Sequence, residues 1–113
     1  MNISFDGMNQ WMATFATSDA VEGQVVKMTA GATVGACADG DSFCGVTAAK
    51  RAEDACAVQL TGVVTAPYTG TAPTVGYAKL LANGTGGVKT SSTGREYLVL
   101  DIDTSASTVT FVL

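Results

Sequence analysis

The chain has 113 residues, enough for one domain with a single core. Charged residues make up 14% of it, against roughly 25% in an ordinary soluble domain, so its exterior is short of charge. The net charge is −4 and the cations Lys27, Lys50, Arg51, Lys79, Lys89 and Arg95 are scattered, which argues against nucleic acid as a partner; no apolar run reaches the roughly 18 residues of a membrane span, so none is expected.

Residues 1–20 read as an N-terminal arm ahead of a single β domain over residues 21–113. The arm holds the only Trp, three of the four Met and two of the four Phe, so it is richer in bulky apolar side chains than the body. Phe5, Met8, Met12 and Phe15 recur at helical spacing, with Trp11 beside the stripe, and predict a short helix. Asp6-Gly7 and the hydroxyls of Thr14, Thr17 and Ser18 work against a helix, leaving an extended arm as the alternative. The stripe either plugs the domain's own core or binds a partner. In the second case Phe5, Met8, Trp11, Met12 and Phe15 are the candidate partner-binding residues, because aromatic anchors dominate interface energetics. The first residues lack a basic n-region and a continuous apolar stretch, so secretion is not expected. Three cysteines, Cys37, Cys44 and Cys56, then fit free thiols in a reducing cytoplasm, with one disulfide plus a free thiol as the alternative.

The body is punctuated by turn formers about every ten residues. Strands are expected over 24–29, 43–49, 55–65, 75–81, 87–90, 96–101 and 108–113. The longest, 55–65, alternates Val58, Leu60 and Val64 against Gln59, Thr61 and Val63. Gly62 inside it marks a bulge or sharp bend. The charged stretch 48–57 reads as a loop or hairpin tip. Short strands of Val, Thr, Tyr and Phe between Gly-rich turns predict an all-β fold, a small barrel or sandwich.

Chemistry-bearing patterns are scarce. There is no His, which removes the usual Ser-His-Asp and Cys-His mechanisms and the His-containing zinc sites. The cysteine spacing fits no zinc knuckle. Asp39-Gly40-Asp41-Ser42 resembles the start of a calcium loop, but the remaining ligands are missing and a turn is the better reading. Asp101 and Asp103 share one strand side rather than facing across a cleft. Asn83-Gly84-Thr85 is a hairpin turn signal. No catalytic residue, metal or cofactor is expected, and the chain does not read as an enzyme.

Gly40-Asp41-Ser42-Phe43-Cys44-Gly45-Val46, then the Val58-to-Val64 strand with its Gly62, Val75-Gly76-Tyr77, Asn83-Gly84-Thr85-Gly86-Gly87-Val88 and a valine-rich end from Ser107 to Leu113, follow one another in order. This series resembles the small capsid decoration, or cement, proteins of tailed bacteriophages and prophages over residues 23–113. The resemblance implies a β-barrel or β-tulip fold, a homotrimer, and the major capsid protein as partner. It also implies a place on the capsid exterior after synthesis in the bacterial cytoplasm. Residues 1–19 are longer and more aromatic than that pattern. The competing reading is a carbohydrate-binding β module of a phage fibre or surface protein, with Trp11, Tyr68, Tyr77 and Tyr97 as its stacking residues. A tail or head-completion protein is a further alternative.

Overall fold

The computed structural model describes residues 11–113, and among them there is no helix. Five strands close a barrel: β1 (Trp11–Ala16), β2 (Val25–Ala30), β3 (Thr33–Ala36), β4 (Gly45–Ala52) and β5 (Ala55–Thr61), in the order β1-β3-β2-β4-β5. β1 closes the ring. It runs antiparallel to β5, with Thr14 opposite Ala57 and Phe15 opposite Cys56, and meets β3 in parallel at Ala16 and Thr33.

Residues 11–16 are therefore strand, where the spacing of Met12 and Phe15 predicted helix. Three residues apart is one face of a helix but opposite faces of a strand. Met12 accordingly points to solvent, while Phe15 packs on the barrel's inner cluster of Ala20, Val26, Val34, Cys56 and Val58. Phe5 and Met8 lie outside the described residues. The stretch 48–57 is mostly strand: β4 runs to Ala52, β5 begins at Ala55, and only Glu53-Asp54 form the tip. Charge did not prevent pairing there, because a hairpin end needs little burial.

The second sheet has the order β6-β10-β9-β7-β8, built from β6 (Val63–Pro67), β7 (Gly76–Ala82), β8 (Val88–Thr90), β9 (Arg95–Asp103) and β10 (Thr108–Val112). All its pairings are antiparallel. It curls until its ends approach. Tyr68 forms an isolated parallel bridge with Val88, and the Thr69 N–H donates to the Val88 carbonyl at 3.1 Å. A Cβ on Gly87 would run into the Pro67 carbonyl, so only glycine permits this closure.

The run 55–65 breaks at Gly62 into β5 and β6. Gly62 has φ 95°, a conformation side chains rarely adopt, and the chain passes there from the barrel to the second sheet. Gln59 spans the bend, its Nε2 donating to the Thr61 and Val63 carbonyls at 3.0 Å each.

The larger core fills the curl of the second sheet. Phe43, Tyr97 and Phe111 form its centre. Phe43 stacks on Tyr97 at 5.1 Å between centroids, and Phe111 meets Tyr97 edge-on at 5.3 Å. Val25 and Val46, from barrel strands, belong to the same core. On β2 the adjacent Val25 and Val26 therefore enter different cores, and both are fully buried.

Candidate binding surface

Of the residues singled out in the sequence, Trp11 and Met12 sit on β1 and are 69% and 49% exposed. Trp11 stands opposite Thr61, one residue before the Gly62 bend. Phe15 contributes to the barrel interior instead. Of the four candidate stacking residues, Tyr68 and Tyr97 are buried in the large core, so Trp11 and Tyr77 alone remain available.

The polar motifs serve turns. The Asp41 carboxylate accepts from the Ala38 N–H at 2.9 Å and from Lys27 Nζ at 2.6 Å. The Lys27 partner holds the Asp41 carboxyl below its ordinary range and raises the ammonium of Lys27 in return. Asp39 pairs with Lys89 at 2.8 Å. Asn83 organises the loop between β7 and β8: its Oδ1 accepts from the N–H groups of Thr85 and Gly87, and its Nδ2 donates to Thr69 Oγ1. The Gly86 carbonyl of that loop accepts from the Val25 N–H at 3.0 Å, tying the second sheet to the barrel. The cysteines are free thiols, and burial pushes that of Cys37 up to about 11. A thiol held that high is a poor nucleophile. Among the described residues no group of His, Cys, Asp or Glu side chains could hold a metal ion.

An open depression of about 470 Å³ lies beside β7. Thr71, Thr74, Thr90 and Ser91 supply hydroxyls to it and Lys79 the one charge. None of the candidate stacking aromatics lines it.

A feature unseen in the sequence lies on the outer face of the second sheet. Tyr97, Val99, Phe111 and Val64 point inward. Their neighbours alternate outward, and the register aligns them: Tyr77 opposite Leu98, Leu98 opposite Val112, Val112 opposite Val63. Tyr77 is 73% exposed and the other three are half-buried. Four adjacent strands thus carry one continuous apolar row. The row depends on register between strands distant in sequence. A scan against protein-family models finds no match to the chain, and a search of curated proteins finds none either.

Proposed function

We propose that this chain is a structural virion protein, a trimeric decoration protein that binds the major capsid protein and stabilises the shell of a phage or prophage from outside. The observation that carries the reading is the display of bulky apolar side chains, Trp11, Met12, Val75 and Tyr77, on a small all-β domain. Bulky apolar side chains exposed on a domain this small and short of charge suit contact with another protein. The resemblance in residues 23–113 supplies the capsid as that protein. A trimer needs only a weak site per copy, because linked sites gain through effective concentration.

Co-sedimentation with expanded capsids, alongside light scattering of the free protein, tests the reading. The expected result is a mass three times that of the 11.4 kDa chain and saturable binding to shells. A monomer that stays in the supernatant at high micromolar concentration contradicts it.

A further inference from the structure

We infer that the Tyr77–Leu98–Val112–Val63 row is the seat for a partner surface that presents an apolar strip rimmed by Lys and Arg. The inference rests on the decoration reading in taking a capsid shell protein as that partner.

An antiparallel sheet with one face in solvent normally alternates apolar in and polar out. The next outward row obeys this: Asp101 stands opposite Thr110, and Thr110 opposite Thr65, with a 2.9 Å hydrogen bond between the two threonine hydroxyls. The Tyr77 row departs from the rule on all four strands, a width of about 15 Å at the usual strand spacing. Aligned side chains at this spacing form one continuous contact strip rather than isolated exposed residues.

The charges around the strip say what covers it. Glu96, opposite Lys79, lies on one side of the row. Asp101, opposite Thr110, lies on the other. Neither carboxylate is in an ion pair among the described residues. Two carboxylates against the single cation of Lys79 leave the rim net acidic, and its complement is basic. A second copy turned face to face would bring Glu96 toward Asp101, a like-charge contact that disfavours self-pairing here. At the Val63 end the row runs toward the Gly62 bend and the exposed Trp11, which stands opposite Thr61.

The test compares wild type with the surface double variant Tyr77→Ser/Leu98→Thr, after melting curves establish that both are folded. In co-sedimentation with expanded capsids the variant is expected to bind at least ten-fold more weakly. Wild-type binding should weaken as salt rises, and Glu96→Gln/Asp101→Asn should flatten that dependence. A folded Tyr77→Ser/Leu98→Thr variant that binds like wild type overturns the inference and leaves the decoration reading standing. Loss of the oligomer in that variant also overturns it, because the occupant is then a second copy. Wild type failing to bind shells defeats the decoration reading instead. The face is then tested by titrating a helical leucine–lysine peptide, whose apolar stripe is flanked by lysines, and following amide NMR shifts. Shifts centred on residues 63, 77, 98 and 112 support the face, and shifts elsewhere or none overturn it.

Discussion

At the scale of single residues, stability depends on a few polar groups handled inside the sheets. Thr47 is fully buried on β4, and its hydroxyl has no hydrogen-bond partner. An unsatisfied buried hydroxyl costs about 1–3 kcal/mol. Thr47→Val, the same shape without the hydroxyl, is therefore expected to raise stability by about 1 kcal/mol in urea unfolding. Cys37 gives a pH signature. Its thiol is raised from 9.0 to about 11, chiefly by burial, with the Asp41 carboxylate adding to it. The fold thus favours the neutral thiol. That contribution is complete below about pH 9 and is lost as pH rises through about 11. Between these limits, melting temperatures of wild type should fall more steeply than those of Cys37→Ala. Parallel curves would mean that Cys37 ionisation is not coupled to folding.

At the scale of elements, the Gly62 bend decides how one run of sequence becomes two strands. Gly62→Ala places a Cβ at φ 95°, and a destabilisation of about 1–2 kcal/mol is expected in the same unfolding assay. An unchanged midpoint would mean that the bend relaxes without strain. This part of the fold was legible: a glycine within a period-two run signals a break, and the strands either side follow from Val58, Val64 and their neighbours. β1 was not. Its apolar residues fit two periodicities, and the choice between them came from pairing with β5, whose partner positions lie 39 to 50 residues along the chain. β3 escaped because Thr33–Ala36 is four residues long and includes a glycine, too short to show a period. The candidate site was legible only in part. Trp11 and Met12 stood out by size and are exposed, whereas the Tyr77 row exists only once β7, β9, β10 and β6 are in register.

At the scale of the molecule, the two sheets share a core. Val25 and Val46 come from barrel strands and pack with Phe43, Tyr97 and Phe111 beneath the second sheet. The Val25–Gly86 hydrogen bond and the Gln59 bridge across Gly62 join the sheets further. Unfolding should therefore be one cooperative transition. Phe111→Ala, which removes the most voluminous fully buried side chain among the described residues, should cost about 3–5 kcal/mol. Hydrogen exchange should report the loss equally at Val58 in the barrel and Val109 in the second sheet. Loss confined to Val109 would mean that the sheets unfold separately. A rigid unit of this kind can hold the Tyr77 row and Trp11 in fixed relation, as the proposed attachment to a shell requires. An image reconstruction of expanded shells saturated with the protein is the direct test of the proposed attachment to a capsid. Ordered density is expected at the local three-fold positions, with the Tyr77 face against the shell. Bare shells at saturating concentration would contradict it.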